Sequence, residues 1–152
     1  MSILGPELDA AVQCEAVLRS LPTWFGIEES VLMYARDSAR LPSFAIAEGV
    51  QLAGFISLQR HFPASWEVHC VAVRAEARHR GHGRALFAHA ERWLVARGAR
   101  WLQVKTLAAT HPDAGYAQTR AFYERLGFAP LEIHPELWSP RNPCLQMIKA
   151  LG

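Results

Sequence analysis

Arg78-His79-Arg80-Gly81-His82-Gly83 lies a few residues after the apolar run Val68-His69-Cys70-Val71-Ala72-Val73 and opens a long amphipathic stretch. Residues 66–73, rich in β-branched and aromatic side chains, predict a strand. Residues 81–97 carry Leu86, Ala90, Trp93 and Leu94 at i, i+4, i+7 and i+8, which predicts a helix, and Gly98 stands where a left-handed C-terminal cap belongs. A strand that feeds a glycine-bearing loop and then a helix makes an anion site. The first N–H groups of the helix point outward with the positive end of its dipole, and glycine lets an oxyanion approach the backbone. The segment is also basic: from Arg74 to Arg100 it has seven arginines and three histidines against Glu76 and Glu91. Two better-known phosphate loops do not fit. A third glycine of a dinucleotide fingerprint falls on Leu86, and the loop contains no lysine.

Outward from this segment, the chain of 152 residues, 51% hydrophobic and 20% charged, has the composition of a soluble globular domain. It carries neither repeats nor a Ser/Gly-rich linker, so a single domain, 1–152, is expected. Residues 6–22 predict a helix with Pro6 in its opening turn and Leu8, Val12, Val17 and Leu18 on its apolar face. Residues 27–40 predict a second, with Glu28 and Glu29 in the first turn. Residues 43–48 and 50–60 read as a hairpin about Gly49, residues 100–106 as a strand, and residues 113–126 as a helix capped by Gly127. Residues 128–133 and 144–149 read as strands joined by a long loop. The order ααβββαβαββ, with one further strand at its loosest, is that of a mixed α/β layer.

Cys14, Cys70 and Cys144 are odd in number and widely spaced, which points to buried thiols in a reducing compartment and away from a thiolate metal site. No run approaches the roughly 18 apolar residues of a membrane span, and Met1-Ser2-Ile3-Leu4-Gly5-Pro6-Glu7 lacks the features of a secretory signal. A cytoplasmic protein without a membrane partner is expected. Net charge is only +2 and the aromatics lie away from the arginine cluster, so a nucleic-acid partner is not expected. His79 and His82 sit in the loop without a third ligand, so no metal is expected either.

Residues 78–83 match R/Q-x-x-G-x-G/A, and Ala121-Phe122-Tyr123-Glu124-Arg125-Leu126-Gly127-Phe128, some forty residues on, matches (F/L)-Y-x-x-x-G-F. Two such motifs in strand–loop–helix and helix-to-strand contexts make the chain resemble the GNAT superfamily of N-acetyltransferases over residues 43–149. The resemblance implies a mixed, mostly antiparallel sheet flanked by helices, with splayed central strands, and acetyl-CoA as cosubstrate. It implies that the backbone of His79, Arg80, Gly81, His82, Gly83 and Arg84 holds the pyrophosphate. Arg78, Arg80 or Arg84 would contact phosphates, and Val71, Ala72 and Val73 would pair with the pantetheine arm as an added strand.

Acetyl transfer to an amine needs a neutral nucleophile, so a proton must leave the ammonium first. Glu67, eleven residues before Arg78, stands where the histone acetyltransferase branch has its general-base glutamate. His69 falls two residues later on the same strand face, and imidazole has the better ordinary pKa. Glu67, His69 and a water chain all remain open as the proton acceptor. Tyr123 aligns with the tyrosine that protonates the departing thiolate in many relatives, and a backbone N–H near Val71 would meet the oxyanion. Where many relatives carry an asparagine contacting the cofactor arm, this chain has Tyr116, which puts cofactor contacts from that turn in doubt.

The resemblance places the acceptor between the N-terminal helices and the loop joining the last two strands. Trp24, Phe25, Tyr34 and Trp138 are candidates for an apolar wall, with Tyr116 beside them and Glu132 or Glu136 countering a cationic amine. The expected partner is a small-molecule or peptide amine, and a homodimer is an expected assembly. A catalytically silent acyl-CoA-binding module is the competing reading.

Overall fold

A computed structural model describes residues 2–21, 27–108, 114–139 and 141–152. Trp24, Phe25 and Asp113 lie outside the described residues. The element order is β1 (Ile3–Leu4), α1 (Ala11–Arg19), α2 (Glu28–Asp37), β2 (Ser43–Glu48), β3 (Gln51–Phe62), β4 (Ser65–Val73), α3 (His82–Ala96), β5 (Trp101–Leu107), α4 (Ala114–Arg125), β6 (Ala129–Ser139) and β7 (Asn142–Ala150). The strands hydrogen bond in the order β1-β2-β3-β4-β5-β7-β6. β4 and β5 pair in parallel, while β1–β2, β2–β3, β5–β7 and β6–β7 are antiparallel. The sheet is thus mixed and mostly antiparallel, as expected. The β4–β5 ladder runs from Ser65↔Trp101 to Glu67↔Gln103, three pairs, although both strands continue for several residues. The chain gathers into two compact units, residues 1–59 with 68–97 and residues 60–67 with 98–152.

In the first unit β2 is buried on both faces, which is why Phe44, Ala45 and Ile46 read as an unbroken apolar run rather than an alternation. Phe44 packs its ring against His89 and Trp93 of α3, with centroids 4.7 Å and 5.7 Å away. Ala45 faces the other way, into a cluster that joins Cys14, Val17 and Leu18 of α1 and Val31 and Ala35 of α2 to Phe55, Cys70 and Ala72. On α3, Leu86, Ala90 and Leu94 are fully buried at the expected spacing, and Gly98 is left-handed. Pro6 departs from expectation. It lies outside α1, which starts only at Ala11, and Val12 is exposed. Residues 3–4 pair with β2 instead, and Pro6 O accepts from Ser43 N–H, so the segment that looked like a first helical turn is held by the sheet.

In the second unit β5 pairs with β7 from Trp101↔Ala150 to Leu107↔Cys144. The segment 134–143, expected as a long loop, is largely strand. β6 runs to Ser139, β7 begins at Asn142, and Ser139 pairs with Asn142 across a register shift. β6 ends the strand order, so Pro135, which lacks an N–H, costs no ladder bond on its open side, and Ile133, Leu137 and Trp138 favour extended backbone. No helix of the described residues is long and apolar enough to cross a membrane.

Phe55 is fully buried at the centre of the α1–α2 cluster. Phe55→Ala should lower stability by about 3–5 kcal/mol in denaturant unfolding. A loss below about 1 kcal/mol would mean that this cluster does not hold the first unit together.

Candidate functional site

The end of β4 is fixed on β3 by backbone contacts that depend on one glycine. Arg74 N–H donates to Ala53 O at 2.7 Å and Arg74 Nε donates to Leu52 O at 3.2 Å. A Cβ on Gly54 would stand 2.7 Å from Ala72 O, so only glycine admits β4 this closely. A single 3-10 turn, Ala75–Ala77, follows, and Ala75 N–H donates to Ser20 Oγ at 3.3 Å. His79 and Gly81 then adopt left-handed backbone, with φ 63° and 81°. Left-handed residues alternating with ordinary ones turn successive N–H groups toward one concave side.

Gly81 is the N-cap of α3 and has no side chain to bond the helix's first donors. The helical ladder begins with Ala85 N–H donating to Gly81 O at 3.0 Å, so the N–H groups of His82, Gly83 and Arg84 have no intrahelical acceptor. A Cβ on Gly81 would meet nothing within 4 Å, so the backbone is open to approach on that side of the residue. The backbone therefore fits the oxyanion expected there. The side chains of the loop are differently placed. Arg80 Nη1 donates to both oxygens of Glu48 at 2.9 Å each, and His82 Nε2 donates to Oε2 at 3.1 Å. Arg80 and then His82 hold the Glu48 carboxyl below its ordinary range. His82 is buried, and its Nδ1 has no hydrogen-bond partner among the described residues. Burial lowers Arg78, whereas His79 and Arg84 are exposed.

Along β4 the side chains of Val71 and Val73 are half-buried and that of Ala72 is buried, so alternation puts His69, Val71 and Val73 on one face. His69 Nε2 donates to Asp37 Oδ2 at 3.0 Å. A carboxylate only accepts, so Nε2 carries a proton, and in the neutral ring Nδ1 is the nitrogen with the lone pair. Tyr34, one turn before Asp37 on α2, meets the imidazole edge to face at 5.2 Å. Met33, Arg36, Asp37, Arg40, Gln59 and His69 line a cleft of about 310 Å³.

Glu67 is part of a separate cluster in the second unit. Lys105 Nζ donates to its Oε2 at 2.8 Å and His61 Nε2 donates to its Oε1 at 2.7 Å. Both oxygens of this mostly buried carboxylate are engaged by side chains that the sequence reading did not select. The alternation in Trp101-Leu102-Gln103-Val104-Lys105, which puts Gln103 and Lys105 on one polar face, was the available signal. Tyr123 is 6% exposed and meets Phe128 edge to face at 5.8 Å. Tyr116 is half-buried on α4. Trp138 is about half exposed and stands on β6 rather than in a loop.

Cys14, Cys70 and Cys144 are free, and burial pushes all three thiols up, so none is a ready nucleophile. Among the described residues no group of three His, Cys, Asp or Glu side chains is placed to hold a metal ion.

Residues 13–128 match the model of the acetyltransferase (GNAT) family. A GNAT-family protein from Desulfovibrio desulfuricans superposes with a TM-score of 0.87 at 20% identity, covering 99% of each chain. An aminoglycoside 6'-N-acetyltransferase complexed with coenzyme A superposes at 0.77, with 20% identity over 99% of this chain and 97% of that one. The ribosomal-protein-S18-alanine N-acetyltransferase from Escherichia coli superposes at 0.70, with 21% identity over 99% and 95%. No curated protein sequence matches the chain. The family match over most of the length, together with a shared fold, leads to one statement: the chain belongs to the GNAT family of acetyltransferases.

Proposed function

We propose that the protein is an acetyl-CoA-dependent N-acetyltransferase that acetylates a primary amine by direct attack in a ternary complex. The observation that carries this reading is the left-handed Gly81 that N-caps α3, which leaves the first N–H groups of the helix without intrahelical acceptors in the loop that follows β4. The backbone of residues 79–84 holds the pyrophosphate, and the Glu48 contacts make the side chains of Arg80 and His82 secondary to it. Val71, Ala72 and Val73 lie beyond the β4–β5 ladder, which favours main-chain pairing of this stretch with the pantetheine arm.

Acetyl-CoA supplies an acyl carbon activated as a thioester. The amine nitrogen bonds to that carbon, the C–S bond breaks, and the electron pair leaves on sulfur. His69 accepts the amine proton. The residue lines a cleft and, in the neutral ring, Nδ1 has the lone pair, whereas both oxygens of Glu67 already accept hydrogen bonds. Tyr123 donates a proton to the departing thiolate. The raised thiols favour direct transfer over an acyl-cysteine route. The silent acyl-CoA-binding alternative draws on the engaged carboxylate of Glu67 and the packing of Tyr123 against Phe128.

Three outcomes test this reading. Acetyl-CoA and free CoA, each at about 100 times its dissociation constant, should add roughly 2.7 kcal/mol and raise Tm by several degrees. ATP should not, and equal shifts with ATP would mean that the site binds any polyphosphate. In Gly83→Asp the shift should vanish while the fold survives. Aspartate in the first turn suits the helix dipole but sets a carboxylate against the pyrophosphate, and unchanged affinity would sink the loop assignment. His69→Gln and Tyr123→Phe should each lower turnover by roughly 10 to 1000-fold with acetyl-CoA binding nearly intact, and Glu67→Gln by much less than His69→Gln. The reverse ranking of His69 and Glu67 would move the base to Glu67, and full activity in all three variants would refute the roles.

A further inference from the structure

The cleft beside His69 has more positive than negative charge. Asp37 is the carboxylate lining it, while Arg36, in the last turn of α2, and Arg40, in the turn that follows the helix, both line it as well. The arginines approach Asp37 Oδ1 at 3.8 Å and 3.6 Å, too far for good hydrogen bonds, and their side chains are 66% and 68% exposed. Their forks are therefore free to take a ligand. Asp37, in contrast, is 15% exposed and spends its short contact on the His69 imidazole, itself 20% exposed. With one half-buried carboxylate committed to a histidine and two guanidinium groups facing solvent, the cleft repels polycations and attracts oxyanions. A volume of about 310 Å³ is at the low end for small-molecule sites.

We propose that the acceptor is a small primary amine that also carries an oxyanion, a carboxylate or a phosphate, gripped by Arg36 and Arg40. Asp37 is the positioning residue that fixes the His69 tautomer. This rests on the acetyltransferase reading above. Planar guanidinium forks match both oxyanions bidentately. The anion held at the α2 rim directs the amine to the floor of the cleft, where His69 Nδ1 takes its proton. His69 lies two residues before Val71, roughly 6.6 Å along the strand and on the same face, so its imidazole is close to the stretch of β4 assigned to the cofactor arm. The N–C bond then forms and the C–S bond breaks; the nitrogen gives its second proton to solvent, Tyr123 protonates the sulfur and is reprotonated from solvent, and the proton on His69 returns to solvent after the amide leaves. Asp37 keeps its charge throughout and balances the imidazolium formed in between.

The test is a kinetic panel with the full chain and acetyl-CoA. It compares amino acids and ethanolamine phosphate with the amino acid amides, ethanolamine, spermidine and an aminoglycoside. Free CoA release is the readout, with acetyl-CoA binding followed in parallel by Tm. Anionic amines should exceed their neutral counterparts by about tenfold or more in kcat/KM, and whether amino acids or the phosphate lead identifies the oxyanion. Arg36→Gln with Arg40→Gln should raise KM for the anionic amine by about 10- to 100-fold, keep kcat, and erase the preference. Asp37→Asn should do the opposite, lowering kcat by about tenfold or more with KM nearly unchanged. Both arginines are exposed, so the double variant should fold with the parent Tm. Spermidine or the aminoglycoside outperforming every anionic amine would overturn the proposal, as would a double variant with unaltered preference. A Tm shift with acetyl-CoA but no acetylation of any anionic amine would also overturn it and leave the family reading standing. Absence of that shift would bring down the reading on which it rests.

Discussion

A helix that begins on a left-handed glycine has neither a side-chain cap nor an intrahelical acceptor for its first N–H groups, and those groups must find their partner outside the helix. Gly81 creates this condition at the start of α3, and much of the first unit serves to hold it in place. Leu86, Ala90 and Leu94 bury the far side of the helix, and Phe44 packs against its His89 and Trp93. Gly54 allows the end of β4 to sit on β3, so that the strand delivers the loop at a fixed point. The donors are backbone groups, which need no rearrangement to meet an anion. Glu48 complements this design by occupying Arg80 and His82, so the loop's specificity rests on geometry more than on mobile charge.

β4 also connects binding to chemistry. Its final residues lead into the anion loop, while His69, on the half-buried face, reaches Asp37 on α2. Earlier in the strand Glu67 is tied to His61 and Lys105. Two acidic residues are thus set beside histidines with opposite consequences. Asp37 engages one ring nitrogen of His69, which lines a cleft, whereas Glu67 accepts hydrogen bonds on both oxygens within its own cluster. What a carboxylate on this strand can accept is decided by its hydrogen-bond partners, and both oxygens of Glu67 already have one.

The fold was legible because its signals are local. The spacing on residues 81–97, Gly98 as a stop and the run 66–73 each specify an element without distant information. The turn that opens α3 on Gly81 was legible for the same reason. The failures are equally physical. Pro6 looked like a helix start, yet residues 3–4 find a sheet partner more than forty positions away. Residues 134–143 looked like a loop because Pro135, Pro140 and Pro143 are loop residues on average, yet an edge strand tolerates proline. The site's partners were the least legible. Asp37 is 32 residues from His69, Lys105 is 38 from Glu67, and Glu48 is 34 from His82. Such pairings are made by topology, and no periodicity along the chain encodes them.

Backbone hydrogen exchange of the full chain with and without saturating acetyl-CoA tests the central claim most directly, since the claim concerns individual N–H groups. Protection should rise at residues 79–84 and 71–73 and change little on β6 and β7. Unchanged exchange at residues 79–84 in the presence of bound acetyl-CoA would contradict the account, because the uncapped end of α3 would then have no part in holding it.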